Sequence, residues 1–149
     1  PTTGVDAVSR KEFWEMLKRL KEQGITILVS TPYMDEAGLC DKVALIQNGK
    51  ILSINTPEGI VDDFKKPLWA VKSNSMLQLL HAMKEKEEVE DAYPFGEFHH
   101  VVLKKNLDKN IIEDWIKNVS LQNAEVHEAK ANIEDCFIDL MKAPKAPHP

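Results

Sequence analysis

Residues 9–30 read SRKEFWEMLKRLKEQGITILVS, and this stretch decides the fold class of the first half of the chain. Ser9 and Glu12 have the capping-box spacing, in which a hydroxyl and a carboxylate bond the free amides at a helix start. We predict a helix over residues 9–23, ended by Gly24 in the left-handed conformation. The run ITILVS is short, uncharged and rich in β-branched residues, which is typical of a strand buried on both faces. A helix, a glycine turn and a buried strand together predict an α/β layer with a parallel sheet.

Three further local signals follow the predicted strand. Residues 34–40 predict a short acidic helix. The run VALIQNGKILSI consists of two β segments around Asn48 and Gly49, whose tolerance of positive φ favours a type I′ hairpin. Thr56 and Pro57 then predict another helix start, with Thr56 as the N-cap and Pro57 in the first turn.

The second half of the chain alternates strands and helices in a different order. Its pattern is strand, helix, strand, strand, helix, strand, which is the βαββαβ order of ferredoxin-like domains. The strands are LWAVKS, EVEDAYP, FHHVVLK and NAEVHEA, the helices between them span residues 75–86 and 108–118, and a last helix spans residues 133–142. We therefore predict an α+β ferredoxin-like domain over residues 67–142. An α/β domain over residues 1–66 precedes it, and a Pro-rich linker or tail over residues 143–149 follows it.

The composition argues against several classes of protein. The chain has 19 Lys and Arg against 24 Asp and Glu, a net charge of −5 that argues against a nucleic-acid binder. Its apolar runs are far shorter than the roughly 20 residues of a membrane-spanning helix. Cys40 and Cys136 lack metal-ligand spacing, and the neighbours His99 and His100 point to opposite faces of a strand, so we predict no metal site. We expect a cytoplasmic protein with two reduced thiols.

The chain begins with PTTGVD at residues 1–6, and the predicted strand ends in STPYMDEA at residues 30–37. These two segments resemble the ATP-binding subunits of ABC transporters. In that family a strand ending in Asp-Glu runs into a Pro-x-x-Gly-hydrophobic-Asp turn, the D-loop, which lies across the dimer interface and couples two nucleotide sites. The resemblance assigns the D-loop to Pro1, Thr2, Thr3, Gly4, Val5 and Asp6. Gly4 and Asp6 would then act in communication between sites, and helix capping is the alternative role of Asp6.

The second segment matches the switch region of the family, commonly Thr-His-x-Met-x-Glu-Ala. The resemblance assigns this region to Thr31, Pro32, Tyr33, Met34, Asp35 and Glu36. Pro32 stands in place of the switch His, which contacts the γ-phosphate and helps position the attacking water. Proline has no side-chain donor and no backbone N–H, so the resemblance implies impaired hydrolysis and no intact catalytic residue. The alternative role of Asp35 and Glu36 is to stabilise the N-terminal dipole of their short helix.

The nucleotide-binding motifs of the family are missing from the chain. None of its glycines belongs to a GxxxxGK[ST] loop, and the LSGGQ signature and the Walker B carboxylates are absent too. We expect a fragment that starts at the D-loop and neither binds nor hydrolyses ATP. The resemblance implies ATP and Mg²⁺ as cofactors of a parent protein, whose partners are a second ATP-binding half and a membrane permease. It also implies that the parent is cytoplasmic, attached to the inner membrane through the permease, and couples ATP hydrolysis to export.

A third segment, ANIEDCFIDLM at residues 131–141, resembles the end of a C-terminal extension on ATPases of bacterial exporters. The role of that extension is open between regulation, dimer contacts and substrate sensing. The competing hypothesis for the chain is a stand-alone ligand-sensing or dimerisation module in which the first half is a scaffold. An exposed sheet edge in that half would favour a homodimer of the fragment.

Overall fold

The computed structural model describes residues 2–119 and 121–142, which form six helices and six strands. Pro1 of the predicted D-loop and the predicted tail at residues 143–149 lie outside the described residues. The helices are α1 (Ala7–Glu22), α2 (Met34–Ala37), α3 (Pro57–Asp62), α4 (Met76–Lys84), α5 (Lys109–Asn118) and α6 (Ile133–Lys142). The strands are β1 (Val43–Gln47), β2 (Lys50–Asn55), β3 (Leu68–Lys72), β4 (Val89–Phe95), β5 (Phe98–Leu103) and β6 (Glu125–Glu128). None of the helices in the described ranges is both long and apolar enough to cross a bilayer.

The chain divides into two compact units. Unit 1 contains α1, α2, β1, β2, α3 and α6, and unit 2 runs from Phe64 to Ala131 with the remaining elements. The sequence predicts a domain boundary after residue 66 and places the last helix in the second domain. In the structure the boundary along the chain falls between Asp63 and Phe64. Helix α6 belongs to unit 1, where it packs against α2 and α3.

Helix α1 begins at Ala7 and not at the predicted Ser9. Its N-cap is Asp6, whose carboxylate accepts hydrogen bonds from the backbone N–H groups of Val8 at 3.0 Å and Ser9 at 3.1 Å. The Asp6 carboxylate satisfies the free amides at the start of a helix that begins two residues earlier than predicted, so Ser9 lies inside the first turn and is not the cap. Gly24 follows the helix with a φ of +86°, which confirms the predicted left-handed end.

The prediction of a buried strand at residues 25–30 is wrong. This run forms no strand, and both sheets of the described residues are antiparallel, so the predicted parallel sheet is not found among them. Leu28 is 98% exposed, and no backbone hydrogen bond joins residues 26–30 to another described residue. A β-strand requires backbone hydrogen bonds to an adjacent strand. No described residue supplies that neighbour, so the β-rich sequence stays unpaired.

The hairpin and the helix after it are confirmed. Strands β1 and β2 pair antiparallel across Asn48 and Gly49, whose φ values of +51° and +72° fit a type I′ turn. The Thr56 hydroxyl accepts a hydrogen bond from the Gly59 backbone N–H at 3.0 Å, and Pro57 occupies the first turn of α3. The chemistry of the turn and of the cap is local, and the sequence is sufficient to predict both.

Unit 2 contains the predicted strands and helices in the predicted order. Its four strands form one antiparallel sheet in the spatial order β4-β5-β3-β6. Helices α4 and α5 supply Leu79, Met83, Ile112 and Ile116 to a core that also contains Val71 of β3. These five side chains are fully buried, so one continuous apolar core stabilises the unit.

Candidate functional site

The two segments that carry the family resemblance meet at one buried carboxylate in unit 1. Glu36 is 1% exposed. Its Oε1 atom accepts hydrogen bonds from the Thr2 hydroxyl and from Arg10 Nε, the latter at 2.9 Å. Its Oε2 atom accepts a hydrogen bond from the Thr31 hydroxyl at 2.5 Å. We refer to Thr2, Arg10, Thr31 and Glu36 as the Glu36 cluster.

The electrostatics of the cluster keep Glu36 ionised. Burial alone would raise the pKa of this carboxyl, but hydrogen bonds from Thr2, Thr31 and Arg10 lower the pKa to about 2. Trp14 Nε1 has no partner within hydrogen-bond geometry among the described residues, so the lowered pKa is assigned to the three bonded donors. The hydrogen bond to Glu36 in turn raises the pKa of Arg10. Arg10 and Glu36 therefore form a charged pair within the cluster at neutral pH.

The predicted D-loop forms a tight turn that starts at the cluster. Thr2 is buried, and its carbonyl oxygen accepts a hydrogen bond from the Val5 backbone N–H at 3.1 Å. Gly4 lies inside this turn with a φ of +76°, a conformation that costs glycine little. Asp6 closes the segment as the N-cap of α1, and hydrogen bonds from Ser9 lower the pKa of its carboxyl. Helix capping by Asp6 is thus observed.

The predicted switch region is anchored on both sides of Pro32. The Thr31 hydroxyl, which donates to Glu36, also accepts a hydrogen bond from the Tyr33 backbone N–H at 3.1 Å. The Arg10 guanidinium lies over the Tyr33 ring, 4.9 Å from its centroid, and pairs with Asp35 at 2.8 Å. Pro32 itself is exposed. The structure thus presents Pro32 at the surface between two neighbours that the cluster holds in place.

The cluster has the chemistry of a structural link and not of a catalytic centre. A general base works best with a pKa near the operating pH. Glu36, with a pKa of about 2 and with both oxygens bonded, does not meet that requirement. Pro32 offers no proton donor. The residues present do not fit ATP with Mg²⁺, because Asp35 and Glu36 are both engaged by Arg10 and no glycine loop can cradle phosphates.

The two histidines considered from the sequence as metal ligands lie in unit 2 and have structural contacts. His99 Nε2 is 2.7 Å from the carbonyl oxygen of Met76, and the His100 ring stacks on Phe95 with centroids 4.0 Å apart. Both histidines are buried. Among the described residues there is no group of three or more His, Cys, Asp and Glu side chains that could hold a metal ion.

Curated proteins with similar sequences share one description. A probable multidrug ABC transporter ATP-binding protein of Escherichia coli, YbhF, is 42% identical over 60 residues, which are 40% of this chain and 10% of that protein. The daunorubicin/doxorubicin resistance ATP-binding protein DrrA of Streptomyces peucetius is 35% identical over 91 residues, 60% of this chain and 26% of that protein. The chain is a relative of ABC transporter ATP-binding proteins. A Nod factor export ATP-binding protein of Neorhizobium galegae, 38% identical over 64 residues, belongs to the same group and is covered to 18%. No family model matches the chain.

The chain therefore spans between a tenth and about a quarter of the length of these ABC transporter ATP-binding relatives. The resemblance predicts Thr2, Thr31 and Glu36 as members of functional segments, and the structure brings these three side chains together. Sequence reasoning missed Arg10. A signal for it exists, because Arg10 precedes the half-buried Phe13 and Trp14 at helical spacing. Arg10 therefore lies at the edge of the apolar face of α1, where its guanidinium reaches the buried Glu36.

Proposed function

We propose that the chain is the part of an ABC transporter ATP-binding subunit that carries the D-loop at residues 1–6 and the switch region at residues 31–36. The observation that carries this proposal is the buried Glu36 carboxylate, which bonds one side chain from each segment. The relatives are named for multidrug transport, drug resistance and Nod factor export, and the proposed parent likewise couples ATP binding and hydrolysis to export. The partners of the proposed parent are a membrane permease and a second ATP-binding half. The parent is located in the cytoplasm, attached to the inner membrane through the permease.

The exposed apolar surface of unit 1 supports its place in a larger P-loop α/β domain. Leu28 is 98% exposed, and Ile46, Ile51 and Ile54 of the hairpin are each more than half exposed. Residues 25–30 have strand-forming composition, and no backbone hydrogen bond joins residues 26–30 to another described residue. Pairing of this run with further strands of an ATPase domain would cover the side chains and satisfy the backbone.

Unit 2 is proposed to be a ferredoxin-like accessory domain. The support is its β-α-β-β-α-β order and the spatial order β4-β5-β3-β6, in which the first strand of the unit lies between the third and the fourth. The competing hypothesis of a stand-alone sensing or dimerisation module gives unit 2 the main role. It has no comparable support, since the relatives share an ATP-binding description.

The chain alone is expected to show no saturable binding of ATP with Mg²⁺ in a calorimetric titration at millimolar nucleotide. The physical reason is the absence of a GxxxxGK[ST] loop to cradle the phosphates. A longer ATP-binding protein that contains this chain is expected to bind ATP and, with its permease in vesicles, to drive export. Micromolar affinity of the chain alone, or a longer protein without nucleotide binding, would contradict the proposal.

Substitution of Pro32 by His in that longer protein is expected to raise ATP turnover at this site by about tenfold or more, because a donor to the γ-phosphate is restored. Pro32→Ala is the matched control, since it restores the backbone N–H without a side-chain donor. Turnover is measured at saturating ATP. Equal rates for the His and Ala variants would show that this position has no switch role.

A further inference from the structure

We infer that Glu36 is a positioning residue that couples the D-loop turn at residues 2–6 to the switch region at residues 31–36, so that the two segments move as one body. This inference rests on the proposed function, which identifies the first segment as the D-loop and the second as the switch region. The coupling itself follows from contacts in unit 1 and is measurable without nucleotide.

The first support is that the two oxygen atoms of one carboxylate accept hydrogen bonds from different segments. Oε1 accepts from Thr2 and Oε2 accepts from Thr31, and the two hydroxyls are 29 residues apart in sequence but bonded to the same side chain. Glu36 is almost fully buried, so water cannot readily replace either donor. Displacement of either threonine therefore removes a hydrogen bond from a buried carboxylate on which the other segment also depends.

The second support is a closed path through α1. The turn that begins at Thr2 ends at Asp6, which caps α1, and Arg10 one turn later reaches back to Glu36 at 2.9 Å. The same guanidinium covers the Tyr33 ring, and this contact attaches the switch region a second time, whereas its pair with the exposed Asp35 adds little. Each segment is thus attached to the cluster at two places. A rotation of one segment about a single contact is prevented.

The third support is that each segment has exposed residues next to the buried cluster. Thr3, Gly4 and Val5 of the turn and Pro32 of the switch region are exposed, while Thr2 and Glu36 are buried. The arrangement keeps the presented residues of both segments at a fixed separation. A partner or nucleotide that displaces one segment would consequently displace the other.

Two backbone amides report separately on the segments. The Val5 N–H bonds the Thr2 carbonyl oxygen, and the Tyr33 N–H bonds the Thr31 hydroxyl. In Thr2→Val, amide exchange measured by NMR is expected to rise by about tenfold at Tyr33, although position 2 makes no bond to that amide. In Thr31→Val, the corresponding rise is expected at Val5. Thr2→Ser and Thr31→Ser keep the hydroxyls and are expected to retain wild-type exchange.

The controls separate coupling from general loosening. Asp35→Asn removes the exposed carboxylate that pairs with the same Arg10 and is expected to change exchange less than twofold at both reporters. The Ile60 N–H, bonded to the Thr56 carbonyl oxygen at 3.0 Å in unit 1, detects unfolding of the whole unit and is expected to keep wild-type exchange. Faster exchange confined to the mutated segment overturns the coupling and leaves the proposed function intact. Failure of the longer protein to bind ATP overturns the proposed function and leaves the coupling intact.

Discussion

Glu36→Gln is expected to destabilise unit 1 by about 2–4 kcal/mol. The substitution keeps the size of the side chain but removes its charge, so Arg10 loses a buried partner and one of the hydroxyl or guanidinium donors loses an acceptor. The Arg10 side chain is 28% exposed, and water therefore limits the loss below that of a fully buried pair. Urea denaturation followed through the indole N–H signal of Trp14, which belongs to the same unit, measures the change.

Asp35→Asn is the matched control for this prediction. Asp35 is the sequence neighbour of Glu36 and bonds the same guanidinium, but its side chain is 70% exposed. An exposed ion pair contributes about 0–1 kcal/mol, so the control is expected to stay within about 0.5 kcal/mol of wild type. Equal effects of the two substitutions would contradict the buried role of Glu36.

The stability of unit 1 is expected to depend on pH through the same carboxylate. The pKa of Glu36 in the folded chain is lowered from 4.5 to about 2, so protonation favours the unfolded state. The stabilisation is complete above about pH 4.5 and disappears as the pH falls towards 2. Glu36→Gln removes this component, and its loss of stability relative to wild type should shrink across that window.

The parts of the fold that the sequence predicts correctly depend on chemistry between near neighbours. Asn48 and Gly49 provide the positive φ that the hairpin turn requires, and Thr56 caps α3 through an amide three residues away. The alternation of strands and helices in unit 2 likewise needs only local periodicity. Such signals lie within a few residues of one another, so a single sequence contains them in full.

The incorrect strand and the overlooked cluster depend on partners distant in the chain. The run at residues 25–30 has the composition of a buried strand, but composition cannot supply the neighbour that pairs with it. The Glu36 cluster joins side chains up to 34 residues apart, and no local pattern encodes that meeting. The family resemblance identifies both segments because their motifs are functional in that family. Arg10 belongs to neither motif, and the sequence shows it only as a charged residue before an apolar stripe.

Leu79→Ala is expected to destabilise unit 2 by about 3–4 kcal/mol, because it deletes a fully buried side chain from the core of the unit. Leu77→Ala is the matched control on the same helix, α4. Leu77 is 69% exposed, and its replacement is expected to cost less than about 1 kcal/mol. Both substitutions exchange one good helix former for another, so helix propensity does not separate them. Denaturation followed through Trp69, which belongs to the same core, measures both values. Similar losses would contradict the assignment of Leu79 to the face of α4 that packs on the sheet.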